Sequence, residues 1–173
     1  MASVWARAKV SDRDAGSTEF RQALAEYAGQ GNKLSLPFYR GLLAEIESEG
    51  HGAEAALAGI DAGLALAGET GEHWFDAGLH RIRGEILLKQ NPTDPAPAEA
   101  AFLAAIAVAQ QQKARSFELR AALSLSKLYR ACRRDADAHA ALGSALDGFA
   151  PTPEFPEIEE ALALLAATEA CAQ

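Results

Sequence analysis

Residues that build sheets are scarce in this 173-residue chain. Valine, isoleucine and threonine together number only 14, and strict alternation of apolar with polar residues is almost absent. β-Branched side chains favour strands and a half-buried strand has a period of two, so the composition argues against sheets. Cysteine is nearly missing as well. Cys132 and Cys171 lie in different parts of the chain, and they read as buried or partly buried free thiols of a reducing compartment, not as a disulfide framework. Basic residues are outnumbered, 16 against 24 acidic ones, for a net charge of −8. That balance argues against a general attraction to nucleic acid or to an anionic membrane surface. No apolar run approaches the roughly 20 residues that span a bilayer. The opening MASVWARAKVSDRD has no apolar stretch of the secretory kind, so the expected location is the cytoplasm.

What the chain does contain is a column. Ala98, Phe102 and Ala105 place a small, a large and a small residue on one helical face. The same trio stands upstream as Gly16, Phe20, Ala23 and as Ala56, Ile60, Gly63, and downstream as Ala138, Leu142, Ala145. The steps between copies are 40, 42 and 40 residues. Helix axes approach to about 8 Å only where the side chains at the crossing are small, and the large residue between fills the gap. A repeat of this period predicts tandem helix pairs.

Read in order, residues 2–10 form a short helix, and Ser17 or Thr18 caps the next one, which ends near Gly31. Ser35 caps a helix over 36–49 with Pro37 in its first turn; the next spans 53–69 and stops at Gly71. Further helices are expected over 73–90, 96–112 (capped by Asp94), 116–131 and 135–149. PTPEFP then breaks the chain before a last amphipathic helix over 157–172. The expected domain is therefore a single unit over 1–173, with pairs at about 2–31, 36–69, 73–112 and 115–149. Its closing helix caps the apolar face that the last pair would otherwise expose.

A second small residue precedes the last three trios by 12 to 14 positions: Ala44, Gly84 and Ser126. This pattern resembles the tetratricopeptide repeat. Its period near 40, against about 34 for that repeat, implies longer helices or loops. The stretches LPFYRGLLAEI, GETGEHWFDAGLHRIRGEILL and AEAAFLAAIAVAQQQKARSFELRAALSLSKLYR, with the closing EIEEALALL, resemble the tetratricopeptide C-terminal region of large bacterial signalling proteins. In those proteins adenylate/guanylate cyclase or transcription-regulator modules and a predicted ATPase precede such a tail. The resemblance implies an all-α, right-handed solenoid whose role is regulatory interaction, with the catalytic centres in other domains. It also implies a concave groove lined by the first helix of each pair. On this register the groove holds Phe38 and Glu45 from one pair, Arg81, Glu85 and Lys89 from the next, and Arg120, Lys127 and Arg130 from the third. An acidic half then grades into a basic half, suited to a carboxylate or an acidic peptide.

Enzymatic signatures are missing. No GxxxxGK[ST] phosphate loop occurs, and His73 and His80, seven residues apart on one helix, are too distant to share a metal. The four histidines read as solvated surface residues, and no catalytic group, metal or cofactor is expected. Trp5 and Trp74 read as packing residues, and Arg115 with Glu118 as a structural ion pair at a helix start. The function expected is a non-enzymatic interaction module that binds a protein segment. The alternatives are a sensor holding a small molecule inside the superhelix, or self-association, as a homodimer, through the abbreviated first pair.

Overall fold

The computed structural model describes residues 13–49, 52–147, 149 and 156–171. Among them the chain is all-α: eight helices and no strand. The helices are α1 (Arg13–Gly29), α2 (Leu36–Glu47), α3 (Ala53–Thr70), α4 (Asp76–Gln90), α5 (Ala96–Gln111), α6 (Arg115–Ala131), α7 (Asp135–Leu146) and α8 (Pro156–Cys171). The helix expected over 2–10, and with it Trp5, lies outside the described residues. No described helix is long and apolar enough to cross a membrane.

Each helix packs on its neighbour in sequence, and a second set of contacts joins α2 to α4, α4 to α6 and α6 to α8. These four helices make one closely spaced row. Helices α1, α3, α5 and α7 touch no alternate helix of their own set among the described residues. Residue size dictates this arrangement. The small–large–small columns are buried throughout, apart from the half-buried Ala23, where Leu24 takes the inward position. At Gly84 a Cβ would stand 2.5 and 2.6 Å from Cε1 and Cδ1 of Phe102, so only glycine lets α4 and α5 close on that ring. At Ser126 the small residue is also polar, and its hydroxyl donates to the carbonyl of Ala138 at 3.0 Å.

Helix ends depart from the sequence reading in instructive ways. Ser17 and Thr18 do not begin α1, because burial of Gly16 one turn before Phe20 extends the helix back to Arg13. Ser35 does precede α2, with Pro37 in the first turn, but its side chain caps nothing. It sits in the left-handed region (φ 58°), and the Glu72 carboxylate accepts from its backbone N–H at 2.8 and 2.9 Å. Asp94 is likewise no cap; Pro95 holds that place with no side-chain bond. Gly71 closes α3 as expected, with φ 75°. Helix α7 ends at Leu146 and not at 149, because Arg115 takes the carbonyls of Ala145 (3.1 Å) and Asp147 and lies over the Phe149 ring.

The loops after α5 and α6 are only three residues long, and both close without glycine. Lys113 (φ 56°) and Arg133 (φ 59°) adopt the left-handed conformation. Ala114 N–H bonds back to Ala109 and Arg134 N–H to Tyr129, both at 2.8 Å, so the last carbonyls of each helix are satisfied by a Schellman-type closure. Cys132, in the second of these loops, is a free thiol but exposed, contrary to its reading as buried or partly buried, because the helix has already ended there.

Arg115 and Glu118 are the structural pair expected, at 2.6 Å, and they do more than pair. Glu118 is buried and also accepts from Gln110 of α5 at 2.9 Å, while Arg115 reaches the end of α7. Three helices are tied at one point. A second tie recurs at a step of 40 residues. Glu72 reaches back to Ser35, and Gln112 reaches back to the carbonyl of His73 at 2.7 Å. Both join one interhelical loop to the start of the preceding pair.

Candidate functional groove

The row α2–α4–α6 presents one side of each helix to a half-open cavity of about 440 Å³. Its first wall is aromatic. The Phe38 ring meets Phe75 edge-on at 4.8 Å and tilts against Trp74 at 5.3 Å, and Phe75 meets Phe117 edge-on at 5.7 Å. Phe75 is buried because two glycines make room for it. A Cβ at Gly41 would lie 2.9 Å from its ring, and one at Gly78 would lie 2.6 Å away. Trp74 is a packing residue in part only. It is 46% exposed at the rim, where its indole N–H donates to Glu72 at 3.0 Å.

The second wall carries charge. Arg81 bonds Glu85 at 2.5 Å and lies 3.7 Å from Glu45, and Ser124 donates to the same Glu85 oxygen at 3.0 Å. From α6, Arg120 pairs with Glu157 at 2.8 Å and Lys127 with Glu160 at 2.7 Å, both carboxylates standing in the first turns of α8. Six residues named from sequence, Phe38, Glu45, Arg81, Glu85, Arg120 and Lys127, thus line the one cavity. Lys89 and Arg130 are not among its lining residues. Lys89 donates to Ser48 at 3.4 Å on the exposed surface, and Arg130 lies 3.7 Å from Asp135. Both stand near the C-terminal ends of their helices, past the point where the helix row encloses space.

The expected gradient from an acidic to a basic half needs correcting. Charges alternate across the helices, since Arg81 stands between two glutamates and the cations of α6 meet α8. Sequence reasoning treated α8 as an apolar cap and so missed Glu157 as a lining residue. It also passed over Phe75 and Phe117, although Phe38, Phe75 and Phe117 recur near the starts of α2, α4 and α6 at roughly the repeat step. That aromatic recurrence was the available signal.

The histidines do not converge, and no group of three or more metal-ligating side chains occurs among the described residues. His73 bonds Asp76 at 2.7 Å. His80 is half-buried on α4, contrary to its reading as a solvated residue. Burial holds its pKa below 6.5, with Arg83 acting in the same direction and Asp76 opposing. His51 lies outside the described residues. A second, more apolar hollow of about 260 Å³ lies between α5, α6 and α7, with Leu103, Ile106 and Tyr129 in its wall.

An aromatic wall facing a ladder of carboxylates and cations can hold a ligand that has both an apolar and a polar side. No family model matches this chain, and no curated protein matches it in sequence.

Proposed function

We propose that this chain is a tetratricopeptide-like interaction module, a solenoid of helix pairs that binds a protein segment in the groove of α2, α4 and α6. On this reading it is non-enzymatic and regulatory, of the kind found as the tail of bacterial signalling proteins. The observation that carries it is the convergence of Phe38, Glu45, Arg81, Glu85, Arg120 and Lys127, drawn from three helices, on one cavity. The recurrence of the small–large–small columns supports the solenoid part of the reading, because the three copies on α3, α5 and α7 are all buried where each of these helices packs on the one before it. Cavities of this size also suit small molecules. The half-open shape favours an extended segment, since an enclosed ligand needs walls on all sides.

The test is a peptide array probed with the wild-type protein and with variants whose helicity is checked by circular dichroism. Phe38→Ala and Lys127→Ala alter the groove, and Asp61→Lys alters α3, outside it. The reading expects a set of peptides whose binding is lost with the two groove variants and kept with the third. Peptides that bind all four proteins equally would refute it.

A further inference from the structure

The hollow between α5, α6 and α7 has no lining residue in common with the groove of α2, α4 and α6. Leu103 and Ile106 of α5, Ala122 and Leu125 of α6, and Ala141 of α7 make its apolar surface. The repeat itself does not demand such a surface. One repeat earlier, 42 residues back, the positions of Leu103, Ala122 and Leu125 hold Asp61, His80 and Arg83. There Arg83 pairs with Asp61 between α4 and α3, and His80 is half-buried. A bulky polar set thus gives way to an apolar one, with a bare methyl at Ala122 in place of an imidazole. An apolar cavity of about 150 Å³ holds one benzene ring. At about 260 Å³ this hollow has room for one ring and a short chain.

Its charge has one sign. Among the described residues, the charged groups in its wall are Glu118 and Asp137, and no cation lines it. Glu118 is buried and spoken for, one oxygen accepting from Gln110 and the other from Arg115. Asp137 is different: its carboxylate is 52% exposed and accepts from Nε of Arg134 at 2.7 Å. The same guanidinium donates to Glu99 at 2.8 Å and lies over the Tyr129 ring at 4.1 Å. Two carboxylates therefore share one cation. Tyr129, also in the wall, donates its hydroxyl proton to Glu99 at 2.9 Å. Burial raises the pKa of this phenol most, the bond to Glu99 and the charges of Glu99 and Asp137 add to the rise, and Arg134 opposes it. An anion entering here meets no charged donor in the wall, whereas a cation meets Asp137.

We propose that this hollow is a second binding site, one for a small arylalkyl amine whose ring lies on the apolar wall and whose ammonium group pairs with Asp137. The site stands apart from the groove, so its test and that of the groove-binding reading succeed or fail separately.

The experiment titrates the full chain at pH 7 with 2-phenylethylamine, 2-phenylethanol and phenylacetate, which share a ring and differ in charge. Amide shifts in two-dimensional NMR give each Kd. The amine should bind about two- to fivefold tighter than the alcohol, the worth of one exposed ion pair, and phenylacetate should bind weakest. Asp137→Asn should bring the amine to the level of the alcohol. Ala141→Leu, which fills the hollow, should weaken amine and alcohol alike, and Leu103→Ala does so by removing half-exposed wall should the first variant fail to fold. Phe38→Ala, in the groove, should change nothing. The proposal is overturned if phenylacetate or the alcohol matches the amine, if Asp137→Asn leaves the amine unmoved, or if none of the three binds. Binding lost with Phe38→Ala but kept with Ala141→Leu or Leu103→Ala also overturns it, because the amine then sits in the groove.

Discussion

Replacing Gly84 by alanine tests the packing logic of the whole repeat. A Cβ at this position would lie 2.5, 2.6 and 2.9 Å from three carbons of the Phe102 ring, where ordinary carbon contacts are about 3.5–4.0 Å. The clash is relieved only by moving a ring, or a helix, by about 1 Å. Phe102 has little freedom to move, because it is fully buried among Ala98, Leu125, Leu128, Tyr129 and Ala138. Overpacking of this kind costs roughly 1–3 kcal/mol, and a rigid buried ring puts this case near the upper end. Alanine in place of glycine in a helix interior returns about 1 kcal/mol. The net expectation is a loss of about 2 kcal/mol, or a fall of roughly 4–8 °C in Tm for a chain of this size.

Gly59→Ala is the matched control, since Gly59 is interior to α3 and a Cβ there meets nothing within 4 Å. It should gain about 0.5–1 kcal/mol from the same backbone effect. Urea unfolding followed by circular dichroism measures both. A third variant, Gly84→Ala with Phe102→Leu, should be less destabilised than the sum of its parts, because the smaller side chain removes the clash. A Gly84→Ala protein as stable as the wild type would refute the claim that close approach at this column holds the pairs together.

Three further outcomes are expected. Arg115→Leu should destabilise by about 2–4 kcal/mol in the same unfolding assay, because it strands the buried Glu118 carboxylate. Arg115→Leu with Glu118→Leu should lose less, and equal losses would count against the pair as a three-helix tie. Lys113→Gly should stabilise by about 0.5–1 kcal/mol, since a left-handed residue other than glycine is strained by more than the unfolded chain gains in entropy; a loss of stability would sink that account. His80 holds a pKa below 6.5 in the folded chain, so the unfolded state binds the extra proton. Its contribution to stability is therefore present above pH 6.5 and lost as pH falls through the lower folded value. His80→Gln should flatten the stability profile across that window in thermal melts, and an unchanged slope would show that other groups carry it.

Much of the fold was legible because a helix pair is a local object. Ala98, Phe102 and Ala105 declare one buried face at helical spacing, and Ala44, Gly84 and Ser126 mark the partner face. Chain ends and loops were less legible. Ser35, Lys113 and Arg133 take left-handed conformations that their side chains do not advertise. Contacts from Glu72, or the need to close a three-residue loop, impose them. The candidate groove divides along the same line. Phe38, Arg81 and Arg120 could be named in advance, since a repeat register carries each position from one pair to the next.

The all-helical chain with its recurring columns follows from residue size and period alone, because side chains three, four and seven apart on a helix must share a face whatever surrounds them. Which charges meet across the groove was decided only by the tertiary structure. Arg120 with Glu157 and Lys127 with Glu160 join residues more than thirty positions apart. Nothing in the local sequence sets that distance; the docking of Ile158 and Ala161 on α6 and α7 brings those carboxylates to the cations.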